Sequence, residues 1–213
     1  STAIDLTELF ERSRDLGART GLDTSGPEFM YWARSGLVNV IKPNADELAS
    51  LVGRELSTLG DVIDAGHELI ETGLEIALVS LGEDGALVIT ADEVLWASAQ
   101  ASSVINTTGA GDAFFAGFLH QVTGAQEAHI ARERHITADL NLKAGLLTAC
   151  SWGALAVSLP TTLITSFNEA PEAYLRDIDR SHVLIEKDSV RYSCTSSQLG
   201  KLHGNFRYRR RPR

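Results

Sequence analysis

The chain has little cysteine, scattered histidines and no long apolar run. Its two cysteines, Cys150 and Cys194, show neither a pairing pattern nor the spacing of metal ligands. A zinc site requires histidine, cysteine or carboxylate ligands at close spacing. The six histidines are scattered and do not form such a cluster. No apolar stretch approaches the ~20 residues that a membrane-spanning helix needs. These absences argue against a disulfide scaffold, a zinc centre or a membrane span, and favour a reduced, cytoplasmic protein.

Charge is unevenly distributed along the chain. The formal net charge is -9, yet residues 187–213 contain eight basic residues and one acidic residue. The remainder is strongly acidic, which argues against a general nucleic-acid binder. We predict one domain over residues 1–186 and a solvated, disordered basic tail over 187–213. The tail could also contact RNA or an acidic surface, and it is the only feature that hints at such a partner.

Apolar periodicity predicts alternating strands and helices. We predict helices near 6–17, 27–35, 45–52, 60–72, 113–122, 142–158 and 171–178. We predict strands at 20–23, 37–41, 75–81, 86–90, 93–97 and 182–186. The polar stretch 123–141 reads as a loop with a short helix at 126–135. This order indicates an α/β sheet with helices on both faces.

Three polar or glycine-rich segments fall where predicted strands end. They are Lys42–Asn44, Ser80–Gly85 and Asn106–Asp112. Sheets of this class bind ligands beyond the carboxyl ends of their strands. We therefore expect the three segments to converge on one site.

The segment Asn106–Asp112 combines glycines, a predicted helix start and a carboxylate. Unpaired backbone N–H groups at a helix start favour an anion, and glycine allows close approach to it. The carboxylate of Asp112 suits such a site if it takes a proton from a hydroxyl that attacks a phosphoryl group. On these residues alone, a glycine turn with a helix-capping aspartate is an equally open interpretation.

Residues 106–119 resemble the carboxyl-terminal signature of the ribokinase/PfkB carbohydrate kinase family at every position. The run Lys42–Glu47 is similar to the family's Asn-x-x-Glu element, and Val79–Gly85 is similar to its nucleotide loop. The resemblance covers about residues 6–186. Within the family, the segments at 22–26, 41–44 and 80–82 are most similar to the hexose-phosphate branch, and there to the 1-phosphofructokinases.

The resemblance implies a role for each matching residue. Asp112 would be the catalytic base and substrate contact, and Gly109, Ala110 and Gly111 would form the anion hole. Glu47, with Asn44, would act on Mg²⁺ through water. The residues expected to bind ATP are Lys42, Asn44, Ser80, Leu81, Gly82, Glu83, Asp84, Gly85 and Gly111. Without the resemblance, Glu47 would read as an exposed acid of a first helical turn. Lys42 could pair with a phosphate, and a surface lysine before a proline turn is the alternative interpretation.

The implied fold is a ribokinase-like three-layer α/β/α sheet, truncated at its N-terminus and without the family's lid. The implied reaction uses ATP and Mg²⁺ to convert fructose 1-phosphate into fructose 1,6-bisphosphate. Tagatose 6-phosphate and fructose 6-phosphate are alternative acceptors. A non-catalytic nucleotide-binding module and a partner-binding role of the basic tail are the competing hypotheses. Full-length members of the family are expected to form homodimers.

Overall fold

A single six-stranded sheet organises the chain, for which the computed structural model describes residues 6–122 and 141–185. The strands lie in chain order: β1 Gly21–Leu22, β2 Val40–Ile41, β3 Ile76–Ser80, β4 Ala86–Ile89, β5 Val94–Ala99 and β6 Ala173–Arg176. Strands β1 to β3 are parallel, and β4, β5 and β6 each run antiparallel to the preceding strand. The carboxyl ends of β1, β2, β3 and β5 therefore lie at one edge.

Within the described residues, six helices cover the two faces of the sheet. They are α1 Leu6–Asp15, α2 Pro27–Ala33, α3 Ala45–Val52, α4 Leu59–Ile70, α5 Ala110–Val122 and α6 Leu142–Val157. A short 3₁₀ turn, Gly82–Asp84, follows β3. Among the described residues, no helix is both long enough and apolar enough to cross a bilayer.

Strand β3 shows how the layers form. Its side chains alternate between the faces: Ala77 and Val79 pack into the core that α2, α3 and α4 cover. Ile76 and Leu78 pack into the core that α5 and α6 cover. Burial on both faces explains the continuous apolar run, which is typical of a central strand. The predicted three-layer α/β/α arrangement is confirmed.

Helices α5 and α6 pack closely because small residues lie at their contact. A Cβ on Gly117 would lie 2.9 Å from the carbonyl oxygen of Thr148, and one on Gly145 would lie 3.0 Å from the ring of Phe118. Glycine therefore sets the separation of the two helices.

The prediction of a helix at 171–178 is wrong. Residues Ala173–Arg176 form β6, which pairs antiparallel with β5 and places Arg176 opposite Trp96. The guanidinium carbon of Arg176 lies 3.8 Å from the centroid of the Trp96 ring. Pairing with an open sheet edge and this cation–π contact outweigh a weak helical preference.

Three further elements differ from the sequence predictions by three residues or more. Helix α5 begins at Ala110, three residues earlier than predicted, and β2 is confined to Val40–Ile41. In the predicted strand at 182–186, the described residues form one antiparallel bridge, between Thr58 and Val183. The predicted helix at 126–135 and the tail 187–213 lie outside the described residues.

Replacing Leu78 with alanine tests whether burial of the sheet on both faces stabilises the protein. Leu78 is fully buried in β3, so Leu78→Ala removes apolar contacts and leaves a cavity. We expect it to lower the free energy of unfolding by about 2–5 kcal/mol, measured by urea denaturation. The control is Leu163→Ala, because Leu163 is 71% exposed and its truncation should change stability by less than about 0.5 kcal/mol. Equal effects of the two substitutions would contradict this assignment of the core.

Candidate active site

Two of the predicted segments meet at the carboxyl edge of the sheet. The chain leaves β2 through Lys42 and Pro43, and the N–H of Ser80 at the end of β3 donates to the Pro43 carbonyl at 3.0 Å. Asn44 and Ser80 form a parallel bridge beyond the named strands. The starts of α3 and of the loop after β3 are therefore neighbours.

Lys42 is buried at the start of α5. It is 6% exposed, and its Nζ lies 3.3 Å from Oδ1 of Asp23. A Cβ on Gly111 would lie 3.2 Å from the same Nζ. The ammonium group is thus inserted between the end of β1 and the first turn of α5. The alternative of a surface lysine is wrong.

Asp23 is a site residue that the sequence analysis did not select. Burial raises the pKa of its carboxyl above the ordinary value, the Lys42 ammonium opposes this rise, and the charges of Asp112 and Glu47 add to it. Asp112 and Glu47 therefore lie close enough to Asp23 to act electrostatically on its carboxyl. The signal that could have identified Asp23 is its position directly after β1, equivalent to that of Lys42 after β2.

Asn44 and Glu47 form a reciprocal cap at the start of α3. Oδ1 of Asn44 accepts the N–H of Glu47 at 2.9 Å, and Oε2 of Glu47 accepts the N–H of Asn44 at 2.9 Å. This capping box fixes the Glu47 carboxylate near the site. It also shows that Asn44 has a structural role whatever else it binds.

The carboxylates suit a hard cation, although they do not form a complete cage. Within residues 6–122 and 141–185, no three His, Cys, Asp or Glu side chains are placed to hold a metal ion together. Mg²⁺ takes oxygen ligands and retains several waters. The described carboxylates do not form a metal site by themselves, so a magnesium ion here would take most of its ligands from water and phosphate oxygens.

The start of α5 has the geometry of an anion-binding turn. Gly109 has a positive φ of 82°. Its carbonyl accepts the first i→i−4 hydrogen bond of the helix, from the Ala113 N–H at 3.0 Å. The Ala110 N–H donates to the Thr107 carbonyl at 3.3 Å, and a helix start leaves its first amides without an acceptor inside the helix. The Asp112 side chain is exposed beside them.

A cleft of about 510 Å³ opens over this turn. It is lined by Thr108, Gly109, Asp112, Ala113, Ala116, Thr162 and Ile164. The segment after α6 forms its second wall, since a Cβ on Gly109 would lie 3.4 Å from Cβ of Thr162. The sequence analysis did not assign this wall, because residues 160–164 lie about 50 positions further along the chain.

The loop Ser80–Gly85 has an exposed front and a buried back. Gly82 and Glu83 are exposed, whereas Leu81 and Asp84 are 8% and 2% exposed. The Asp84 carboxylate, which the sequence analysis assigned to ATP binding, points into the protein. It accepts hydrogen bonds from His182 and from the Ile185 N–H, each at 2.7 Å.

Comparison with known proteins identifies the class of protein that this fold and site define. Residues 5–159 match the model of the pfkB family carbohydrate kinases, and the chain belongs to this family. A 1-phosphofructokinase of Haloferax volcanii is 44% identical over 110 residues, covering 52% of this chain and 33% of that protein. A 1-phosphofructokinase of Rhodobacter capsulatus is 36% identical over 148 residues, covering 70% and 43%.

A solved structure shows the same fold. The phosphofructokinase-2 of Escherichia coli, in complex with potassium, superposes with a TM-score of 0.63 and 25% identity, covering 78% of this chain and 49% of that one. The chain thus spans one third to about two fifths of the length of the two curated relatives and about half of the solved structure.

Removing the Lys42 charge should raise the pKa of Asp23 further. In Lys42→Met the opposing ammonium is lost, while burial and the two neighbouring carboxylates still act on Asp23. NMR titration of the Asp23 carboxyl carbon measures the change. Arg54→Met serves as control, because Arg54 pairs with Glu68 at 2.6 Å and should leave Asp23 unchanged. An unchanged or lower Asp23 pKa in Lys42→Met would refute the pairing.

Proposed function

We propose that this chain contributes the nucleotide-binding and phosphoryl-transfer site of an ATP-dependent phosphosugar kinase. Fructose 1-phosphate is the proposed acceptor and fructose 1,6-bisphosphate the product. The observation that carries the proposal is the placement of the Lys42 ammonium against Gly111, beside the exposed carboxylate of Asp112. Membership of the carbohydrate kinase family and the names of the two relatives support the choice of reaction.

Asp112 acts as the base in the proposed reaction. Its carboxylate accepts the proton of the attacking sugar hydroxyl while that oxygen bonds to the γ-phosphorus of ATP. The bond between the γ-phosphorus and the bridging oxygen breaks, and ADP leaves. Because Asp112 lies in the first turn of α5, the deprotonated hydroxyl and the transferring phosphoryl group meet at the same helix start.

The backbone at Gly109–Gly111 stabilises the charge on the transferring phosphoryl oxygens. The positive φ of Gly109 and the missing side chain of Gly111 permit close approach of the anion and of Lys42. Lys42 adds a positive charge that Asp23 holds in place. The site therefore combines dipoles and one fixed cation for a polyanionic substrate.

Mg²⁺ supplies electrostatic neutralisation of the ATP phosphates when it is bound. Glu47 would hold it through water, because the capping box fixes its carboxylate near Lys42 and Asp23. The exposed front of the loop after β3, Gly82 and Glu83, would contact the nucleotide. Tagatose 6-phosphate and fructose 6-phosphate are the alternative acceptors.

A nucleotide-binding role without turnover is the second candidate. The observation that favours it is coverage, since the chain aligns with 33% and 43% of the two relatives. Calorimetry with Mg-ATP and a coupled assay with fructose 1-phosphate distinguish the two candidates. Binding with turnover supports the kinase, and binding without turnover supports the nucleotide-binding module.

Replacing Asp112 with asparagine tests the base. Asp112→Asn keeps the size of the side chain and removes its capacity to accept the hydroxyl proton. We expect turnover of fructose 1-phosphate to fall about 10²- to 10⁴-fold, while the Kd for Mg-ATP changes by less than about threefold. The coupled assay and calorimetry measure the two quantities.

Asp46→Asn is the matched control. Asp46 is an exposed aspartate in the first turn of α3, so its substitution should leave both quantities unchanged. Near-normal turnover in Asp112→Asn would overturn the assignment of the base.

A further inference from the structure

Asp84 is a buried carboxylate without a role in the proposed chemistry. It is 2% exposed, and both of its oxygens are used: Oδ1 contacts Nε2 of His182 and Oδ2 accepts the Ile185 N–H, each at 2.7 Å. A buried carboxylate is costly unless such partners compensate it. The bonds join residues about 100 positions apart in the chain.

His182 and Ile185 belong to a segment that is itself attached to α4. In this segment, residues 180–185, the carbonyl of His182 accepts the Leu59 N–H at 2.9 Å, and the Leu184 N–H donates to Ser57 at 3.0 Å. Arg180 also pairs with Asp64 of α4 at 2.7 Å. We call residues 180–185 the clasp. The clasp is therefore attached to the helical layer by contacts other than those with Asp84.

The loop after β3 is also held by β5. Nε1 of Trp96 donates to the Asp84 carbonyl at 2.8 Å, and the Arg176 guanidinium covers the Trp96 ring. A Cβ on Gly85 would collide with the carbonyl oxygen of Ala97. All of these contacts lie on the buried side of the loop. Gly82 and Glu83 are exposed on its opposite side.

We propose that Asp84 and His182 are positioning residues that hold the loop Ser80–Gly85 in the conformation that binds nucleotide. The inference rests on the proposed function for the identity of that ligand. A loop fixed in advance loses less conformational entropy when it binds. The bond from His182 to Asp84 fixes the buried side of the loop, and the exposed backbone at Gly82 and Glu83 meets the phosphates.

His182→Phe tests this bond. The phenyl ring keeps a contact with Trp96, whose ring centroid lies 5.0 Å from that of His182, but it has no hydrogen-bond donor or acceptor. We expect faster hydrogen exchange at the amides of residues 82–85. We also expect the Kd for Mg-ATP to rise about tenfold, as for the loss of one hydrogen bond to a charged group.

His182→Gln is the rescue variant, because its side-chain amide can donate to Asp84 in place of the ring. It should restore slow exchange and most of the Mg-ATP affinity. His67→Phe is the matched control, since His67 lies on α4 and outside the clasp. It should leave the exchange at 82–85 and the Kd unchanged.

The outcomes separate this inference from the proposed function. Unchanged exchange and Kd in His182→Phe, or equal losses in His182→Phe and His182→Gln, would overturn the positioning role. Absence of Mg-ATP binding by the unsubstituted chain would overturn the proposed function and with it the nucleotide role of the clasp. The exchange data would in that case still show whether His182 orders the loop.

Discussion

The ion pair of Lys42 and Asp23 is the interaction on which the arrangement of the site depends. It joins the ends of β1 and β2 beneath the first turn of α5, at a distance of 3.3 Å. Burying an ammonium group costs several kcal/mol unless a partner compensates it. A Cβ at position 111 would lie 3.2 Å from the ammonium nitrogen, so glycine gives the ammonium room against the helix. The position of α5 on the sheet and the position of the charge are therefore coupled.

The charges around this pair set the electrostatic conditions that a phosphate ligand would meet at this site. Asp23, Glu47 and Asp112 together bring more negative charge than Lys42 compensates, and ATP would add several further negative charges. The amides at the start of α5 contribute only partial charges. In the proposed function, a hard cation coordinated by water and phosphate oxygens would balance this excess. Burial is the main cause of the raised pKa of the Asp23 carboxyl, and the charges of Asp112 and Glu47 add to the rise.

Features that short-range interactions determine could be predicted from the sequence. Helix α3 was predicted with its observed bounds, because Asn44 and Glu47 specify its start and Gly53, with φ of 71°, ends it. Strand β6 was missed because its conformation depends on pairing with β5, which no local pattern reveals. The burial of the Asp84 side chain could not be predicted for the same reason, since its partners lie in the clasp. The roles of Asp112, Glu47 and Lys42 in chemistry stay predictions.

The segment after α6 supplies two parts of the site that lie beyond the matched residues 5–159. Thr162 and Ile164 form one wall of the cleft over Gly109 and Asp112, and residues 180–185 fix the loop after β3 from behind. Thr162 and Ile164 shape the opening over the start of α5. Residues 180–185 act on the loop after β3. Variation in this segment can therefore alter access and loop order separately, while the carboxylates and the ammonium stay in place on the sheet.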